Sequence, residues 1–162
     1  MPKLPEFISG FQSTVISTVD AEGNPFGSYA PFVVYQHDYY VFISDIARHA
    51  RNLKAYPKAS LFFIEDEAGC ENIFARKRAV LQCESRIVPR ETPGFDPVIQ
   101  AFKTRFDSSL IDMLAQMQDF NLFRFTPVSG EAVFGFGQAY DVGGEFMDRL
   151  LARKSGGGHR KA

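Results

Sequence analysis

The sequence predicts a mainly β fold: a small antiparallel barrel with helices at its periphery. Three observations predict it. About six or seven segments are rich in the β-branched and aromatic residues that favour strands. Several are joined by turns too short for a parallel crossover. The stretches with helical spacing are few, and they fall between strands rather than beside one another. A sheet of this size avoids open edges best by closing on itself.

Ser13 to Val19 is β-branched and reads as the first strand. The segment "DAEGNP" that follows is dense in turn formers. Phe26 to Tyr35 is extended again, and Pro31 within it argues for an edge or a bulge. "QHD" makes the next turn and Tyr39 to Ser44 the third strand, with His37 at the surface. In "DIARHARNLKAYP" the period changes. Ile46, Ala50 and Leu53 fall at helical spacing, Ser44 or Asp45 is placed to cap, and Pro57 to stop the helix. "KASLFFIE" is a strand, "DEAGCENIFA" a loop with a helical turn, and "RKRAVLQCESRIV" a long strand. The segment from Thr92 to Gln118 holds one or two helices, the first expected after Pro97. "DFNLFRFTP" and "SGEAVFGFGQAYDVGG" read as two further strands, the glycines of the second marking bends or close approach. "GEFMDRLLARK" reads as a short final helix.

At 162 residues the chain fits one domain. Residues 1–154 are expected to form it, with 155–162 a flexible tail that holds three glycines, "SGGGHRKA". Hydrophobic residues are 45% of the chain, including 17 phenylalanines. A lone small barrel with that many aromatic rings is expected to expose an apolar strip that a second copy covers, making a homodimer. A net charge of −1 gives no basic stripe, so no nucleic-acid partner is expected. The start has no charged segment leading into an apolar run, and no apolar stretch approaches the length of a membrane span. A cytoplasmic protein with no membrane partner follows as the expectation. Cys70 and Cys83 stand apart from each other and from any histidine, and read as plain thiols.

Few residues carry chemistry. His159 sits beyond the glycines, either in a frayed terminus or as a movable metal ligand, since one axial imidazole is enough to hold haem iron. Arg48, His49, Arg51 and Asn52 cluster with Ser44 at a strand end and the first turns of a helix. That grouping suits the phosphate of a flavin or the propionate of a haem, and equally a solvated helix face. Arg76, Lys77 and Arg78 open a strand, with Arg76 and Arg78 expected on one face. They serve either a site or the protection of an edge. Asp119 alone reads as a strand-start or capping residue. No nucleophile elbow, phosphate-binding loop or dinucleotide fingerprint is present.

Taken in order, "YAPFV", "SDIARHARNL", "SLFFIEDEA", "FARKRAVL", "QDFNLFRFTP", "FGFGQAYDVGG" and "GHRK" resemble the HugZ/HutZ haem-utilisation family. The resemblance runs from about residue 13 to the end of the chain. That family lies within the pyridoxamine 5'-phosphate oxidase-like superfamily of FMN-binding split barrels. The resemblance implies a homodimeric split barrel that binds haem at the subunit interface. It also implies opening of the porphyrin ring with oxygen and a reductant or electron-donor protein, releasing iron. It makes His159 the axial iron ligand and Asp119 a carboxylate that hydrogen-bonds it from the other subunit. Arg78 becomes a residue of the haem site. Arg48, His49, Arg51 and Asn52 fall where flavoenzyme relatives hold the flavin phosphate. The alternatives are an FMN-dependent oxidoreductase, which needs no axial histidine, and a haem carrier, which needs His159 but not Asp119. Two departures stand out: a short lead before the first strand, and glycines where the family has acidic or bulkier residues ahead of the histidine.

Overall fold

β1 (Ser13–Val19) alternates strictly, with Thr14, Ile16 and Thr18 turned inward. The Asp20 carboxylate then accepts from the backbone N–H of Glu22 and Asn24 at 2.9 and 2.8 Å, and Gly23 takes a positive φ of 84°. That turn reverses the chain into β2 (Pro25–Pro31), which pairs with β1 over its whole length. After a break at Phe32, β3 (Val33–Tyr35) turns tightly through Gln36 and His37, both at positive φ, into β4 (Asp38–Ser44). Both faces of β4 are covered, so it reads as a nearly continuous apolar run.

The chain continues through α2 (Arg48–Ala55), β5 (Lys58–Ile64), β6 (Arg78–Val88), α3 (Phe95–Arg105) and α4 (Ser108–Ala115). It ends with β7 (Phe120–Val133), β8 (Ala139–Gly143) and β9 (Arg149–Ala152). A short α1 (Leu4–Ser9) precedes β1. The sheet runs β2-β1-β5-β6-β7-β4-β3, every neighbouring pair antiparallel, with β8 and β9 continuing from the far half of β7. This computed structural model describes residues 1–153. The expected tail and its boundary lie outside the described residues.

Two cores hold the fold. Ile16, Val41, Leu61, Phe63, Leu81, Phe123 and Phe125 fill the barrel. α1 closes it: Leu4 and Ile8 are buried, and Phe7 meets Phe11 and Phe134 edge-on at 5.1 Å. The second core lies outside the sheet, where α3 and α4 cover Tyr40, Phe42 and Leu122 with Phe95, Val98, Phe102 and Ile111. Seventeen phenylalanines are therefore shared between two apolar layers and the surface.

The mainly β, antiparallel reading agrees with the structure, and five local expectations are corrected. The final segment is no helix. Gly144 and Met147 take positive φ and turn the chain into β9, whose residues pair with β8. "DFNLFRFTP" and the start of the next segment are one strand, β7: Pro127 pairs with Cys83, and the register shift between Gln82 and Cys83 leaves Val128 as the extra residue. Neither Ser44 nor Asp45 caps α2. Its N-cap is Ala47, without a side-chain bond, and the Ser44 hydroxyl is turned to Asp119. α3 begins at Phe95, with Pro97 in its first turn, where a missing N–H costs nothing. Arg76 and Lys77 precede β6, so only Arg78 of the three belongs to the strand.

One glycine in β7 is required by packing. A Cβ on Gly130 would sit 2.5 Å from the Val80 carbonyl oxygen and 3.0 Å from Leu81 Cδ2. Gly130→Ala is expected to force β6 and β7 apart and to cost about 1–3 kcal/mol. Denaturant unfolding monitored by circular dichroism measures this, and an unchanged midpoint contradicts it.

Candidate functional site

β6 and β7 run side by side for eleven residues of β6, from Arg78 opposite Val133 to Val88 opposite Leu122. The sequence candidates collect at the two ends of this ladder. Asp119, Ser44 and the start of α2 lie at one end. Arg78 lies at the other, where β8 and β9 return the chain to Arg153.

At the first end the Asp119 carboxylate is half-buried and accepts a 2.8 Å hydrogen bond from the Ser44 hydroxyl. The Asp119 carbonyl accepts from the Asp45 N–H at 2.7 Å. Asp45 in turn accepts from Lys54 Nζ at 2.6 Å and from Asn121 Nδ2 at 2.5 Å. The Lys54 bond holds the Asp45 carboxyl below its usual range. Arg90 clamps the segment from behind, donating to the carbonyls of Ala115, Met117 and Phe120 at 2.6–2.7 Å while lying 5.9 and 5.5 Å from the ring centres of Phe42 and Phe95. Sequence reading gave no sign of the Ser44 and Arg90 roles. Nothing local encodes either: the Ser44 bond depends on the pairing of β4 with the start of β7, and Arg90 reaches carbonyls 25 to 30 residues further along the chain.

The α2 residues divide between two directions. His49 and Asn52 turn inward: His49 Nδ1 is 2.8 Å from the Ser28 hydroxyl, and Asn52 Nδ2 donates to Thr18 Oγ1 at 3.0 Å. Burial pushes the His49 pKa down, so the neutral ring is favoured. Arg48 and Arg51 face outward, Arg48 lying 5.3 Å from the centre of the Phe26 ring. The four therefore do not converge on one exposed anion site: two belong to the packing of α2 on the barrel.

At the second end, Arg78 is half-buried and donates from Nη1 to the Arg76 carbonyl at 2.9 Å. It borders an apolar stretch on the outer face of the sheet. Tyr29, Val15, Phe62 and Val80 are paired in succession across β2, β1, β5 and β6. Ile64, Arg78 and Val133 form the next row. Tyr29 and Val15 are 69% and 40% exposed, so this row lies open in the single chain. Arg153, the last described residue, donates to Glu131 at 2.5 Å and Asp141 at 3.2 Å. Glu131 pairs with Val80, so Arg153 lies at the edge of this same face. His159 itself lies outside the described residues. No cluster of His, Cys, Asp or Glu among the described residues is arranged to hold a metal, and no described helix is long and apolar enough to cross a membrane.

Comparison with known proteins agrees with this architecture. The family model for pyridoxamine 5'-phosphate oxidase matches residues 1–134. The chain is 44% identical over 160 residues to the haem oxygenase HutZ of Vibrio cholerae, covering 99% of this chain and 89% of that one. A crystal structure of HutZ from Vibrio cholerae, named there a haem storage protein, superposes with a TM-score of 0.77 at 41% identity, covering 83% of this chain and 99% of the other. Campylobacter jejuni ChuZ superposes with a TM-score of 0.85 at 30% identity, over 98% of this chain and 64% of ChuZ. The chain belongs to the HutZ-type branch of the pyridoxamine 5'-phosphate oxidase-like split barrels.

Proposed function

We propose that this protein binds haem as its substrate and, with oxygen and a reductant, opens the porphyrin ring and frees the iron. The likeness to HutZ over nearly the whole chain carries the reading. The face around Arg78 fits the substrate chemically. A porphyrin is an apolar body with carboxylate arms, and here an apolar row borders a guanidinium. The α2 cluster fits a flavin phosphate less well, because His49 and Asn52 spend their polar atoms on Ser28 and Thr18.

In this reading His159 supplies the axial imidazole, and Asp119 of a second copy accepts from its outer ring nitrogen, fixing the tautomer. Distance supports the division between subunits. Twelve residues of extended chain separate Asp119 from Glu131, about 40 Å along the strand. Six residues lead from Arg153, beside Glu131, to His159 and span at most about 21 Å. The reach of that segment is about half the contour of β7 between the two groups, which favours an Asp119 supplied by a second copy.

The test is to add ascorbate or another reductant in air to the haem-loaded protein. The haem absorption band is expected to decay, with iron appearing in a chelator. A haem band that persists through repeated addition supports the second reading, storage without degradation, which the description of the Vibrio cholerae structure favours. Sedimentation is expected to give twice the mass of the chain, because the open row of Tyr29, Val15, Phe62 and Val80 needs covering. A monomer that still binds haem tightly removes the interface from this account. Arg78→Ala is expected to weaken haem binding or turnover by about 1.5–3 kcal/mol, the range of a charge-assisted hydrogen bond. Unchanged titration and turnover would return Arg78 to a purely structural place at the start of β6.

A further inference from the structure

A cavity separate from the Arg78 face lies at the β3 edge of the sheet. Its volume is about 280 Å³, and it is walled by α1, β3, the start of β4, the end of α3 and the β8–β9 turn. It shares no residue with the Asp119 corner or the outer face just described.

Its floor is apolar: Ile8, Phe32 and Val33 are each at most 3% exposed. Tyr39, 93% buried, also lines the cavity, and its hydroxyl makes no hydrogen bond to any described residue. Burial drives the phenol pKa up, with the Asp148 carboxylate among the charges that add to it. The phenol is thus neutral and lacks a partner among the described residues. A polar group in that setting is costly to leave unmatched.

Two charges of opposite sign line the same space. Arg105 donates through Nη2 to the Phe11 carbonyl, lies 5.7 Å from the centre of the Phe32 ring, and keeps Nε and Nη1 without a partner among the described residues. Asp148, half-buried, makes no ion pair among the described residues. The two line the same cavity and make no ion pair with each other. The Ser9 hydroxyl is already committed to the Glu6 carbonyl at 2.7 Å, and the His37 ring stacks on Phe146 at 3.8 Å, forming the rim.

A separated guanidinium and carboxylate above an apolar floor match a zwitterion with an apolar side chain. We propose that this cavity binds a free apolar α-amino acid. Arg105 takes its carboxylate, Asp148 and the Tyr39 hydroxyl take its ammonium group, and Ile8, Phe32 and Val33 receive its side chain. A carboxylic acid without the amine leaves Asp148 facing its own sign of charge. An amine without the acid leaves Arg105 unmatched. The site therefore discriminates against both by unpaired charge as well as by lost contact.

Calorimetric titration of the haem-free full chain with L-phenylalanine tests this. One saturable site per chain is expected. Hydrocinnamate and phenethylamine, each keeping one charged group, should bind at least about tenfold more weakly. Asp148→Asn, Arg105→Gln and the isosteric Tyr39→Phe should each weaken phenylalanine binding, with melting temperatures reported alongside. Absence of saturation up to the solubility of phenylalanine overturns the proposal. So does equal binding of the two half-analogues to the unmodified protein, a comparison that holds even if a variant fails to fold. Variants that melt like the parent and bind undiminished overturn it too.

Discussion

His159→Ala is expected to abolish the histidine-ligated haem spectrum, while His37→Ala leaves it intact. The chain has three histidines. His49 is held inward on Ser28, and His37 is stacked flat on Phe146, so neither offers a free imidazole to the outer face beside Arg78. Removing the one remaining imidazole removes the strong iron donor, and the absorption of added hemin should revert to that of weakly or nonspecifically bound haem. Titration of hemin into each variant, followed by absorption, measures it. A His159→Ala protein with the parent spectrum and affinity sinks the assignment.

The second large effect is expected from mixed dimers. Asp119→Ala and His159→Ala protomers are each expected to be nearly inactive by themselves. In a heterodimer one site lacks both groups and the other keeps both. Random exchange makes about half of all dimers mixed, so roughly a quarter of the parent's turnover should return. Asp119→Asn alone should still capture haem while changing turnover by about 10–100-fold, as is usual when the partner of a metal-bound histidine is altered. Heterodimers confirmed by native mass spectrometry that show no recovery over either single variant would falsify the pairing between subunits.

Much of the fold was legible because its strands are locally consistent. β1, β4 and β5 each combine β-branched or aromatic residues with a flanking turn, and their observed bounds lie within a residue of those the sequence indicates. The misread segments are those where a distant partner decides. "GEFMDRLLARK" has residues at helical spacing, but Leu150 and Leu151 gain more by pairing with Val142 and Asp141 of β8. Pro127 looked like a strand end. It falls where β7 has left β4, last paired at Phe125, and has not yet met β8, first paired at Glu131. A missing N–H is tolerated in such a gap.

The candidate site was legible in its residue types and not in its arrangement. Asp119, Arg78 and the α2 cluster were singled out, but sequence could not show that Asp119 and Arg78 stand at opposite ends of one ladder. Nor could it show that alternate residues of α2 face opposite ways. His49 and Asn52 lie on the buried side with Leu53, while Arg48 and Arg51 lie on the open one. Polar residues on the inner side of a short helix look identical in sequence to ligand-binding ones until their partners, Ser28 and Thr18 of two other strands, are known.

The length of β7 also acts on the protein as a population. On the proposed reading, one strand keeps the two halves of the haem site apart, and a second copy unites them. Function then belongs to pairs of molecules. At concentrations below the dimer dissociation constant the number of complete sites falls with the square of the protein present, while the fold of each chain persists. Haem, by binding only where two chains meet, pulls the association equilibrium toward the dimer in return. A cell that makes little of the protein thus has disproportionately little activity, and a supply of haem recruits chains into the working form without any change in their synthesis.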